Sequence, residues 1–243
     1  PDQPAWYEFS ATERADLSQP GTYQGDQDRA KVKDNREGRV LPTARQRAEV
    51  AAVGALATWN ALGTPAMLTS TGVPLAAGLP ADPAAAARAY VDTNRDVLGL
   101  TARGAKSLEL LAVAPMGDGA AVLFQQRFGN LAAGVDGILS VGVRDGAVWH
   151  VSSSLARDAA APAPAKLSAD DATKRAVDDS GAANAEVANT RLVAVPTPTQ
   201  GTRAAYQVVL TAGENGPDPV AYATYVDARD GSILIRENLV DSD

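Results

Sequence analysis

The chain has 243 residues, 45% of them hydrophobic, with 22 Lys and Arg against 29 Asp and Glu, a formal net charge of −7. That length can bury a substantial core in one large or two to three small domains, and the acidic balance argues against a nucleic-acid partner, which needs a dense cationic face. With no cysteine and one histidine, His150, the chain lacks disulfides, thiolate chemistry and the two or three histidines of a usual catalytic zinc site.

No run approaches about 18 apolar residues, so no membrane-spanning helix is expected. The sequence opens without a basic-then-apolar leader, and we expect a signal peptide to have been removed already. No His-Glu-Xaa-Xaa-His, Gly-Xaa-Ser-Xaa-Gly or Gly-Lys-Ser/Thr motif occurs. The reading is therefore of a non-enzyme.

Residues 1 to about 45 are polar and punctuated, and read as an arm in which Trp6, Tyr7 and Phe9 either anchor to another surface or cap their own domain. From Thr43 to Leu62 the apolar spacing predicts a helix capped by Thr43 and ended by Gly63 and Pro65. Met67 to Leu79 is spaced by Gly and Pro and reads as short extended pieces. A second helix is predicted from Asp82 to Leu98, with Asp82 as cap, Pro83 in the first turn and Gly99 as the stop.

The period then changes to two. "SLELLAVAPM", "AAVLFQQRFG", "GILSVGV" and "GAVWHVSSSL" predict four strands, with Asp118-Gly119 and Asp145-Gly146 as tight turns. "ARDAAAPAPAK", Ala156 to Lys166, reads as a linker. Beyond it Ser168 caps a helix running to Ser180, and "TRLVAVPT", "RAAYQVVLT", "VAYATYVDA" and "GSILIREN" predict four more strands. Arg144-Asp145-Gly146 and Arg229-Asp230-Gly231 mark the same place in each half. The expected fold class is α+β: two duplicated helix-on-antiparallel-sheet modules with an irregular and helical N-terminal extension. The expected boundaries are 1–80 for the arm and helix, 81–160 for the first module and 161–243 for the second with its tail.

Ala57 to Thr101, with Trp59-Asn60 and Gly63-Thr64-Pro65, and the later Phe124-Gln125-Gln126-Arg127-Phe128, Gly134 and Gly137, resemble the amino-terminal propeptide (FTP) of fungalysin-family secreted zinc metalloproteases. "AYQVVL" and "AYATYVDARDGSILIREN" are similar to the PepSY module of thermolysin-like and fungalysin-like propeptides. The resemblance implies a cystatin/PepSY-like fold for both modules. It also implies a secreted, extracellular bacterial protein that inhibits its own protease as a zymogen, assists its folding as an intramolecular chaperone, and is cleaved near its C-terminus. The implied partner is the metalloprotease catalytic domain of the same precursor, which would hold the zinc; no cofactor is expected in this chain.

On that reading the inhibitory and cleavage tail is Glu237, Asn238, Leu239, Val240, Asp241, Ser242 and Asp243. No catalytic or metal residue is assigned. His150 follows Trp149, and strand alternation sends the two to opposite faces. Gln125, Gln126 and Gln207 are read as satisfying the sheets' own polar groups. Asp170-Asp171 and Asp178-Asp179 are read as helix cap and solvated face, and Asp145 and Asp230 as turn residues. Two other readings stand beside the propeptide: a free-standing secreted binding or adhesion module, and a hydrolase that depends on His150.

Overall fold

The computed structural model describes residues 32–182, 184–213 and 220–239. Trp6, Tyr7, Phe9 and the tail residues Val240, Asp241, Ser242 and Asp243 lie outside the described residues. The architecture is two antiparallel sheets, and among the described residues strand (43%) is well ahead of helix (20%). The larger sheet joins β2 (Leu56–Trp59), β3 (Pro65–Thr69), β8 (Ala147–Ser153), β7 (Ile138–Arg144), β5 (Gly119–Phe128) and β4 (Leu108–Met116) in that spatial order, and β6 (Leu131–Ala132) pairs with β5. The smaller runs β1 (Lys33–Asp34), β12 (Ile233–Asn238), β11 (Val220–Asp227), β10 (Gly201–Ala212) and β9 (Glu186–Thr197).

This corrects the expected α+β pair of duplicated, cystatin/PepSY-like modules. Seven strands stand against five, and each sheet takes strands from the segment read as arm and helix: β2 and β3 in one, β1 in the other. A helix does lie on one face of each sheet, but the halves are not copies of one unit.

The helix expected to reach Leu62 is α1 (Ala44–Ala52). Its N-terminus is as read: Thr43 Oγ1 accepts from Gln46 N, and Gln46 Oε1 accepts in return from Thr43 N. Gly54, at φ 64°, turns the chain away, and "LATW" becomes β2 because it can pair with β3, whose other edge pairs with β8. Asn60 shapes that hairpin: its Oδ1 accepts from Leu62 N at 3.0 Å and Thr64 N at 3.1 Å.

The second helix is α2 (Pro83–Thr93), with Asp82 Oδ1 accepting from Ala85 N at 2.8 Å and Pro83 in its first turn. A short α3 (Arg95–Leu98) follows, closed by Gly99 at φ 70°; α4 (Ala102–Lys106) leads into β4. Small Ala86 and Ala87 let α2 lie close on the sheet, where Tyr90 and Val91 pack with Val122, Phe124, Leu139, Val141 and Val151. In the second sheet α5 (Ala169–Ser180), capped by Ser168, packs Ala172 and Ala176 on Val208, Leu210, Tyr222 and Val226. The stretch 156–166 has no regular structure, but Ala156 and Ala159 are buried against Leu62, Phe128, Ala133 and Ala194, so it is packed.

Of the turns, one follows the sequence pattern and two depart from it. Asp145 (φ 51°) and Gly146 (φ 65°) form a two-residue turn with both central residues left-handed. Arg229-Asp230-Gly231 belongs to a longer loop, closed by Asp227 N donating to Ser232 O at 2.8 Å. In the first hairpin, Met116 pairs with Gly119, so the turn residues are Gly117 (φ 57°) and Asp118, not Asp118-Gly119.

Candidate functional site

The most concentrated buried polar chemistry among the described residues lies where the two sheets meet. Register places Arg191, Gln207, Tyr225 and Ile235 in one row across β9, β10, β11 and β12. Glu237, two residues beyond Ile235, shares that face by the two-residue period. Against this row comes the segment between β6 and β7. Ala133 bridges Ala194, and Gly134 N donates to Ala194 O at 2.9 Å. Glycine is required there, since a Cβ at position 134 would collide with the Val193 side chain and press on the Tyr225 ring.

The Tyr225 hydroxyl is the centre of the seam. It lies 2.8 Å from Gly134 O, 2.9 Å from Gln207 Nε2 and 3.0 Å from Glu237 Oε2. Burial, reinforced by Glu237, pushes the phenol well above its ordinary value. Burial likewise pushes the Glu237 carboxyl up.

Beside it Arg36 bridges the sheets. Its guanidinium donates to both Asp34 oxygens at 3.0 and 2.7 Å, to Asp136 Oδ2 at 2.5 Å and to Pro196 O at 3.0 Å. Burial works against this charge, but the two carboxylates outweigh it and hold the guanidinium above its ordinary value. Asp34, Arg36 and Asp136 line a cleft of about 200 Å³ with Asn60, Leu62 and Pro198.

A second buried pair holds the loop after β11. Asp227 is fully buried and accepts from Arg203 Nε at 2.6 Å and from Arg229 N at 2.8 Å. Asp230 accepts from Arg203 and from the Ser232 hydroxyl. Burial opposes ionisation of Asp230, but Ser232 and Arg203 hold it below its ordinary value.

The residues singled out in sequence are dispersed. Glu237 is turned into the seam, Asn238 ends β12, and Leu239 is 49% exposed with its N–H donating to Ala221 O at 2.7 Å. Gln126 is fully buried and exchanges two hydrogen bonds with the backbone of Ala156, at 2.9 and 2.8 Å; Gln125 donates to Ala133 O. Both therefore satisfy backbone groups. Gln207 bonds side chains across the row, donating to Tyr225 and accepting from Arg191. His150 sits beside a bulge that breaks strict alternation, so both it and Trp149 are half-buried; its Nδ1 is 3.4 Å from Thr69 Oγ1, and burial lowers its pKa. Asp179 is no solvated residue: it pairs with Lys33 at 2.6 Å and Arg236 at 3.0 Å.

Arg36, Asp136, Tyr225 and Asp227 were missed. The Gln207–Tyr225 contact had a signal, since both sit in consecutive strands read from alternation and pair directly across them. Arg36 had none, because its partner Asp136 is remote in sequence.

The other prominent feature is an edge. β4 ends the larger sheet, and among the described residues no strand pairs with its outer side. From Leu110 to Met116 it carries no charge, and Leu110, Leu111, Val113 and Met116 are 43–64% exposed.

A scan of protein-family models gives no match, and neither does a search of curated proteins. Among solved structures the chain is similar to the Bacillus megaterium YpeB C-terminal domain, at 16% identity over 73% of each chain with a TM-score of 0.35, a likeness too slight to carry an argument.

Proposed function

We propose that this chain is a propeptide that binds and inhibits the catalytic domain of a secreted zinc metalloprotease and assists its folding. The observation that carries this reading is the β4 edge. A bulge at Leu111 and the proline at Pro115 blunt this edge in part, and the uncharged, exposed stretch between them leaves an open backbone edge that is a template for strand addition by a partner. A binding role also fits the packing around the residues that carry the resemblance. Asn60 and Thr64 set the β2–β3 turn, Gln126 ties β5 to residue 156, and Gly134 lets the sheets approach. Those residues build a scaffold, and the surface it presents is β4.

The test is to add the purified chain to the separated catalytic domain and follow peptide hydrolysis. Suppression complete at one-to-one, with co-elution on gel filtration, is expected. Absence of both across micromolar concentrations overturns the proposal, while co-elution without suppression assigns the chain to the free-standing binding module instead.

A further inference from the structure

The seam around Tyr225 has one proton too few if Glu237 is ionised. Arg191 Nε donates to Gln207 Oε1 at 2.5 Å; a guanidinium only donates, so the amide oxygen faces Arg191 and the amide nitrogen faces Tyr225. That nitrogen donates to the Tyr225 oxygen at 2.9 Å. The Gly134 carbonyl, 2.8 Å away, can only accept, and it takes the single hydroxyl proton. Glu237 Oε2, at 3.0 Å, then meets a lone pair of the Tyr225 oxygen. As a carboxylate, Glu237 must compete with Gly134 for the one proton. As a carboxylic acid it donates to Tyr225, and every group in the cluster is satisfied.

We infer that Glu237 carries a proton when the two sheets are closed on each other, and that its loss loosens the seam: a pH-sensitive latch between the sheets.

The charges around Glu237 favour this. From the β1 side come Asp34 and Arg36, from the β6–β7 segment Asp136, and from β9 Arg191, engaged with Gln207. Arg36 is one guanidinium held by two carboxylates, so that group is already net negative before Glu237 ionises. On β12 itself the neighbouring Arg236 engages Asp179 in the last turn of α5. Burial acts most strongly to raise the Glu237 pKa, helped by Asp136 and Asp34; the Tyr225 hydroxyl, wherever it donates to the carboxylate, and Arg36 act against them, and the balance is upward. A group whose folded pKa is raised contributes its full stability below the ordinary glutamate value of about 4.3. That contribution is lost as pH rises through the raised folded value, so the latch holds in acid and opens toward neutrality. The inference does not depend on the propeptide reading.

The experiment is a carbon-13 NMR titration of the Glu237 carboxyl in the full chain. It is paired with hydrogen exchange at the Gly134 amide, which bonds across the seam, in wild type and Glu237→Gln. A Glu237 midpoint above the ordinary glutamate range is expected. Gly134 protection, corrected for intrinsic exchange, should fall at least several-fold in the wild type as pH passes that midpoint. Glu237→Gln, whose amide supplies a permanent donor, should stay flat. A midpoint at or below the ordinary range overturns the inference, as does the same pH dependence of Gly134 protection in both proteins. The carboxyl titration needs no variant and decides the matter if Glu237→Gln fails to fold.

Discussion

Replacing Tyr225 with Phe removes one oxygen from the seam and leaves the ring, which is 1% exposed, in place. The oxygen serves three neighbours on different elements: the Gly134 carbonyl, the Gln207 amide and the Glu237 carboxyl. In the variant at least the first two are left without this partner in a part-buried site, where each orphaned group costs up to about 1–3 kcal/mol. Relaxation and water entry recover part of that, so a loss of about 2–4 kcal/mol is expected, or about 5–15 °C in Tm for a chain of this size. The assay is thermal unfolding by circular dichroism at mildly acidic pH, with Tyr206→Phe as control. Tyr206 donates one bond, to Leu167 O at 3.1 Å, and its loss should cost only about 1 kcal/mol. A Tyr225→Phe protein as stable as wild type, or no less stable than Tyr206→Phe, would refute the assignment of Tyr225 as the centre of the seam.

Other expectations follow from the same geometry. Asp227→Ala frees two loop N–H groups and leaves the half-buried Arg203 with Asp230 alone, so a loss of about 2–4 kcal/mol is expected in denaturant titration. Gly146→Ala should cost about 1–2 kcal/mol from its left-handed backbone alone and more from a Cβ driven onto the Leu79 carbonyl; Gly117→Ala, at similar φ but in open space, should cost less. Val113→Lys on the exposed edge should leave Tm within about 2 °C of wild type, since surface changes cost little, while weakening partner binding measured by calorimetry at least tenfold.

Much of the strand pattern could be read from alternation, because β5 and β7 alternate fully buried with half-buried residues in strict turn. Caps at Thr43, Asp82 and Ser168 were legible for the same local reason. What failed was non-local. "VAAVGALATW" carries a helical spacing and a strand spacing together, and the choice at Leu56 is made by β3 and β8, the latter some ninety residues on. The duplication failed because two Arg-Asp-Gly triplets look alike in sequence. Their backbones differ: Asp145 is left-handed, while the second loop is organised by the buried carboxylate of Asp227 one turn earlier. The seam was hidden because Arg36 lies in a polar stretch that gives no periodic signal, and only the fold brings Asp136 to it.

The claim that the chain works by offering β4 to a protease is tested most directly by hydrogen exchange across the chain, alone and with the catalytic domain bound. Strand addition at that edge should slow exchange of the outward-facing backbone amides between Leu110 and Ala114, those that do not already bond to β5, by at least tenfold, with little change in β12. A bound complex in which those amides exchange as fast as in the free chain would contradict it.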